Sequence, residues 1–217
     1  MKALLAVVLL ASSARAATGE LLVGPAFSTS KITFNAEDKA AANGLALGAR
    51  FLGKAGKNLS AGLEVQSLNM GEATSNTMIT NGVTTSKFSS LLFLVEAKLA
   101  AEEGAVRPFG ILGFGFHSTA LKIASTPRAG FAWANTATRE TRSVVDSRKT
   151  SPAATLQGGI DVPVGERFAA GLSAAWYYLG STTYDASSAI QQTSPGFGGI
   201  KGSLSSIALL ASASYKF

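Results

Sequence analysis

Apolar and polar side chains alternate along this chain with a period of two, in segment after segment of about ten residues. That period belongs to a β-strand, whose successive side chains point to opposite faces, and it does not fit an amphipathic helix. Residues 204–217 show it most clearly. Ile207, Leu209, Ala211, Ala213, Tyr215 and Phe217 occupy one parity, and Ser206, Ser212, Ser214 and Lys216 the other, with Ala208 and Leu210 as exceptions. The same phase recurs upstream. Leu45, Leu47, Ala49 and Phe51 flank Ala46, Gly48 and Arg50, and Leu59, Ala61, Leu63 and Val65 flank Ser60, Gly62, Glu64 and Gln66. Leu91, Phe93, Val95, Ala97 and Leu99 enclose Leu92, Leu94, Glu96 and Lys98. Further segments fall at 153–162 and 168–179, and weaker ones at 20–28 and 108–118.

The connections add a second regularity. The stretches 53–58 (GKAGKN), 101–106 (AEEGAV) and 163–167 (PVGER) are short, charged and glycine-bearing, as tight turns require. They alternate with longer polar stretches at 29–43, 69–85, 119–151 and 180–203. Four long connections and three short ones, with both ends on the short side, give eight antiparallel strands. Alternation alone does not say which face meets solvent, and a soluble sandwich or ligand-binding barrel would also alternate. Composition favours a membrane barrel. The chain is 47% hydrophobic and carries 23 glycines, yet beyond its first residues it has no helical apolar stretch. The strand charges Arg50, Glu64, Glu96, Lys98 and Asp161 all lie opposite the apolar stripe, among Gly, Ala and Ser small enough for a narrow interior. Phe27, Phe51, Trp176, Tyr178, Tyr215 and Phe217 stand near segment ends, where interfacial aromatic girdles would sit. The expected fold is an all-β, eight-stranded antiparallel transmembrane barrel with short turns at one end and long loops at the other.

The first sixteen residues read as an export signal. Lys2 precedes the apolar run ALLAVVLLA, and Ala14-Arg15-Ala16 offers a small-residue cleavage site. The run is shorter than the ~18 residues a spanning helix needs. Residues 1–16 are therefore expected to be removed, leaving 17–217 as one barrel domain. Of 19 basic against 13 acidic side chains, Lys2 and Arg15 belong to this leader, and the rest are scattered. The dense basic face of a nucleic-acid binder is absent from the pattern. Without cysteine, disulfides and thiolate metal sites are excluded.

Three stretches carry a resemblance. The ending SIALLASASYKF, with Tyr215 and the terminal Phe217, resembles the assembly signal of bacterial outer-membrane proteins. RPFGILGFGFH (107–117) is similar to the Pro-aromatic-Gly strand of outer-membrane-protein-A-like and opacity-like barrels, and GGIDVPVGERFAAGLSAAWYYLGS (158–181) resembles their sixth strand, turn and seventh strand. The resemblance implies a stand-alone monomeric barrel in the bacterial outer membrane, inserted by the barrel-assembly machinery and in contact with outer-membrane lipid and lipopolysaccharide. No cofactor is implied.

Candidate chemistry is sparse. His117 is the one histidine. Outer-membrane lipid A deacylases pair a lipid-facing His and Ser two positions apart, but here Ser118 has the opposite parity and Thr119 the matching one. No third, orienting group can be assigned, so no catalytic residue is proposed. Glu37-Asp38 and Glu102-Glu103 lack metal-ligand spacing. The interior charges Glu20, Arg50, Glu64, Glu96, Lys98 and Asp161 should pair, since isolated charges in a low-dielectric lumen cost several kcal/mol. Arg50 and Lys98 are expected to neutralise Glu64 and Glu96. The third long loop collects Arg128, Arg139, Arg142, Arg148 and Lys149, with Phe131 and Trp133, as a surface cluster suited to lipid phosphates or a partner. The leading functional expectation is a non-enzymatic barrel supporting the envelope and presenting loops, in adhesion for example. A narrow conduit for ions or hydrophobic molecules and a lipid A-modifying enzyme are the alternatives.

Overall fold

The computed structural model is a single closed barrel in which each strand is hydrogen-bonded to its neighbours in chain order. It describes residues 17–33, 37–77, 82–127, 140–188 and 199–217. Residues 1–16, expected from sequence to be an export signal, lie outside them. The strands are β1 (Ala17–Thr33), β2 (Glu37–Lys54), β3 (Leu59–Thr77), β4 (Gly82–Ala100), β5 (Arg107–Pro127), β6 (Arg142–Pro163), β7 (Phe168–Tyr184) and β8 (Ile200–Lys216). All pairings are antiparallel, and β1 closes on β8. The seam is pinned at its end by the Phe217 amide, which donates to the Ala17 carbonyl at 2.8 Å. Eight strands and the expected turns are thus present. Gly104 (φ +107°) and Gly165 (φ +96°) sit in two of the turns, in a left-handed conformation that a Cβ would strain.

The apolar stripe faces outward. Leu172 is 64% exposed, Phe114 63% and Leu209 51%, while Arg50, Glu64 and Glu96 on the other face are at most 3% exposed. A water-soluble barrel cannot present this arrangement: hydrocarbon is the solvent that matches such a wall, and burying three charged groups inside would otherwise be pure loss. Aromatic side chains bracket the stripe as expected. Near the short turns Phe51 packs on Phe217 (6.4 Å between ring centres) and Tyr215 on both Phe168 and Phe217 (5.0 Å each). Towards the other end Trp176 pairs with Tyr178, and Phe93 with Phe116, each at 6.0 Å.

The long connections are corrected by the structure. Strands of 17–22 residues exceed the ~9–11 needed to cross hydrocarbon, so most of the first three expected loops, and both ends of the fourth, continue the sheet. Past the upper girdle the polarity of the wall inverts while the parity continues. Along β5, Leu121 and Ile123 point inward and are buried, and Lys122 and Thr126 point out. Along β8, Ile200 and Leu204 are buried and Lys201 is exposed. The upper barrel is built like a water-soluble one, with an apolar interior that includes Leu68, Met70, Phe88, Leu121, Ile123, Val145, Tyr184 and Leu204.

Two seams open in this upper part. The β2–β3 ladder stops at Leu45↔Asn69 and the β6–β7 ladder at Ala154↔Tyr178, although all four strands run on. Each seam starts beside a bulge holding a positive-φ glycine: Gly71 (φ +70°) in β3 and Gly180 (φ +67°) in β7. A bulge bends its strand, and glycine admits the left-handed residue the bend needs. On the β6 side, Pro152 has no N–H with which to continue the ladder. The second seam rejoins at the bridge Val145↔Ala186, where the Ser187 amide donates to Val144 O at 2.9 Å.

Candidate functional site

The six interior charges converge in the lower half of the lumen because five strands, β1–β4 and β6, deliver them to neighbouring levels. The register sets Glu20 beside Arg50, Arg50 beside Glu64, Glu96 beside Gly62, and Asp161 beside Arg107. Glycine at 113 leaves room: a Cβ there would stand 3.0 Å from Glu96 Cγ. Arg50 is the hub. Its guanidinium donates to Glu20 (2.8 Å), Glu96 (2.5 Å), Glu64 and the Gln157 amide oxygen (2.6 Å). Lys98 donates to Glu20 (2.7 Å) and Asp161 (2.8 Å), and its ammonium lies 4.3 Å from the centre of the Phe109 ring. The expected pairing is therefore half right. Arg50 holds both Glu64 and Glu96, whereas Lys98, two residues nearer the turn, reaches Glu20 and Asp161 instead. Sequence supplied the parity of each charge but not the height at which neighbouring strands align.

Gln157 and Tyr177 were not anticipated as members. Gln157 Nε2 donates to Ser173 Oγ at 2.7 Å, and the Tyr177 hydroxyl donates to Glu64 Oε1 at 3.4 Å. Both have inward parity, which was the available signal. Above this layer the interior is lined by buried apolar side chains, from Leu94 and Leu92 to Leu68, Phe88 and Leu121, with Gln66, Ser90, His117 and Thr119 buried among them. Below it a vestibule of about 600 Å³ opens at the short-turn end and stops at Glu20, Lys98 and Asp161. On its rim the Lys54 ammonium donates to Glu102 at 2.5 Å and holds that carboxyl below the usual carboxylate range.

His117 points inward and is buried. Its Nε2 faces the Leu179 carbonyl at 2.6 Å, so it carries the proton there, and Nδ1 lies 2.6 Å from Thr119 Oγ1. Thr119 Oγ1 is in turn 2.8 Å from Ser90 Oγ. The Leu179 carbonyl sits at the bulge where β7 leaves β6, and the imidazole occupies the place of the missing ladder donor. Ser118, half-buried, lies on the other face. The unit fastens β5 to β7 across the seam, assisted higher up by an ion pair of Lys149 with Asp185. Further up the same interior, burial pushes the Tyr184 phenol up to about 12.

Of the basic surface cluster expected from sequence, the structure describes Arg142, Arg148 and Lys149. Arg128 and Arg139 lie outside the described residues, as do Phe131 and Trp133. Arg142, Arg148 and Lys149 are in strand β6 rather than in a loop, because the sheet extends into that stretch. Among the described residues no group of three or more His, Asp or Glu could hold a metal ion.

No protein-family model matches the chain, and no curated protein matches it by sequence. Among solved structures it is similar to the outer membrane protein OprG from Pseudomonas aeruginosa, with 14% identity over 94% of this chain and 97% of that one and a TM-score of 0.55. It is also similar to the outer membrane protease OmpT from Escherichia coli, at 8% identity over 94% and 98%, with a TM-score of 0.50. At such identities the likeness is one of fold. The fold is that of bacterial outer-membrane barrels, as the resemblance in the sequence implies.

Proposed function

We propose that this protein is a closed, non-enzymatic barrel of the bacterial outer membrane, acting through its wall and its outer end rather than through its lumen. The observation that carries this reading is the double closure of the interior. A hydrogen-bonded charge layer fills the lower half, and a packed apolar layer fills the upper half. An ion entering the vestibule meets Lys98 and Arg50 already engaged with four carboxylates, and beyond them an interior of buried apolar side chains whose His117, Thr119 and Ser90 are hydrogen-bonded to one another or to backbone. The continuous sheet above the girdle makes a rigid platform for the connections at the outer end. Support of the envelope and presentation of those connections, for adhesion among other contacts, follow from that shape.

The enzymatic alternative is not favoured. His117 spends Nε2 on a backbone carbonyl, and its neighbouring hydroxyls face a packed interior closed to a lipid substrate. Purified protein in planar bilayers tests the reading. The expected record is flat up to the breakdown voltage of the bilayer, and discrete openings in the unmodified barrel would replace this reading with that of a conduit. Lipid A isolated with and without the expressed protein should have the same mass spectrum.

A further inference from the structure

Just above the apolar stripe, on the outer face of β4, β5 and β6, three cations stand together. Lys87 is directly opposite Lys122 in the β4–β5 register, and Arg148 follows one row lower, opposite Ala120 on β5. All three are exposed. Like charges directly opposite one another on a sheet repel, so the fold gains nothing from the Lys87–Lys122 pair on its own. The row is flanked by Glu72 opposite Lys87 and Asp146 opposite Lys122, and only the second makes a contact, Lys122 Nζ to Asp146 Oδ2 at 3.5 Å. Among the described residues neither Lys87 nor Arg148 has an ion-pair partner.

Their height gives the cluster its meaning. The outward-facing stripe on these strands ends at Leu91, Phe93, Phe116 and Leu156, and Ser89, Ser118 and Thr150 mark the change to polar side chains. Lys87 is four residues beyond Leu91, so about 13 Å along a strand, or ~10 Å in height once the strand tilt is allowed for. A lysine or arginine stem reaches several ångströms back towards the membrane, which brings these charges to the polar headgroup layer. The same wall that hydrocarbon solvates thus continues into a cationic patch where the phosphates of an anionic outer leaflet lie.

We propose that Lys87, Lys122 and Arg148 form a binding surface for the phosphates of outer-leaflet lipid, clamping phosphorylated glycolipid against β4–β6. This rests on the reading of the chain as an outer-membrane barrel. It replaces the loop cluster expected from sequence with one on the barrel wall, in which Arg148 is the shared member. Lys149, next in sequence, has the opposite parity and is engaged by Asp185.

The test compares the full-length mature protein with K87Q/K122Q/R148Q, both refolded into phosphatidylcholine vesicles with and without phosphorylated lipid A. Heat-modifiable gel mobility in phosphatidylcholine alone reports whether a barrel has formed, and so tests the membrane-barrel reading separately. The retention of lipid A on the protein through detergent extraction reports binding. Each cation near an anionic surface contributes about fivefold in affinity. The triple variant should therefore retain lipid A at least about tenfold less well, with its mobility shift intact. Dephosphorylated lipid A should be retained equally poorly by both proteins, and inorganic phosphate should not displace the bound lipid at millimolar concentration. Equal retention by the two proteins, no dependence on the lipid phosphates, or full displacement by inorganic phosphate would each overturn the proposal. If the triple variant fails to form a barrel, K87Q alone decides: an unchanged retention would count against the patch.

Discussion

Replacing Arg50 with methionine should be the most damaging single change inside this barrel. The guanidinium is fully buried and is the hydrogen-bonded partner of three carboxylates. Loss of it does not affect the three equally. Glu20 keeps Lys98 at 2.7 Å, but Glu64 and Glu96 are left with no cation within salt-bridge distance. Removing one side of a buried ion pair costs about 3–5 kcal/mol, because the remaining charge stays desolvated without compensation. Two such carboxylates are exposed to that cost here, so R50M should lose at least about 4 kcal/mol. With a urea slope of ~2 kcal/mol/M, the unfolding midpoint would fall by roughly 2 M. Trp fluorescence and gel mobility of the protein in phosphatidylcholine vesicles would both follow the transition. The charge logic makes a second demand. In R50M/E64Q/E96Q the orphaned charges are gone, so most of the lost stability should return even though four polar contacts of Arg50 are missing. A single variant within about 1 kcal/mol of the wild type, or a triple variant no better than the single, would refute the account of the network as charge compensation. K98M should cost about half as much, since Glu20 retains Arg50 and the Asp161 side chain is 17% exposed at the vestibule.

Three further outcomes are expected. Leu172→Arg, at the middle of the outward stripe, should cost about 2–4 kcal/mol in vesicles, whereas Thr183→Arg on the same strand above the girdle should be nearly neutral; equal costs in urea unfolding would remove the argument that hydrocarbon solvates this wall. His117→Ala leaves the Leu179 carbonyl without its donor, for about 1–3 kcal/mol, and hydrogen exchange at residues 181–184 should quicken while that of 170–176 is unchanged. Deletion of Phe217 removes the ring stacked on Phe51 and Tyr215 together with the end of the stretch that resembles an assembly signal. It should slow insertion by the assembly machinery in cells more than spontaneous refolding in vesicles, measured as the fraction with the folded mobility.

How much of this was readable in advance depends on what each property is made of. The two faces were legible because a period of two survives any change in register: parity put Leu45, Leu91, Leu172 and Ile207 on one face and Arg50 and Glu96 on the other, and composition decided which of them is outward. Contacts between strands were not legible, since they depend on a shift of one strand past the next, which a single segment does not encode. That is why Arg50 was matched to the right acids and Lys98 was not. His117 was weighed only as a catalytic candidate, and its structural part was not foreseen. Its partner is a backbone carbonyl 62 positions away, freed by a bulge that only the spacing of Gly180 hinted at.

The misjudged loops have a single physical origin, and it bears on function. A strand in hydrocarbon must show apolar groups outside, and the same strand in water must hide them. As β5 passes the upper girdle its outward parity changes from Leu112, Phe114 and Phe116 to Lys122 and Thr126, while its inward parity changes from Gly113 and Gly115 to Leu121 and Ile123. Taken segment by segment, the reversal looks like a loss of pattern, and polar residues at the outward positions look like a loop. Taken as one strand, it marks the depth at which the surrounding medium changes. It also explains why the lumen is closed by charges below and by packing above. Inside the membrane the interior must hold the polar groups that the wall cannot expose, and beyond it the interior must hold the core. The two seams begin at this level, beside Gly71 and Gly180, where the constraint that every backbone group be paired within the wall is lifted because water can reach it. The upper barrel can therefore divide into two four-stranded lobes without the cost an open edge would carry in lipid. Its outer end, rather than its lumen, is the part free to be shaped for contact.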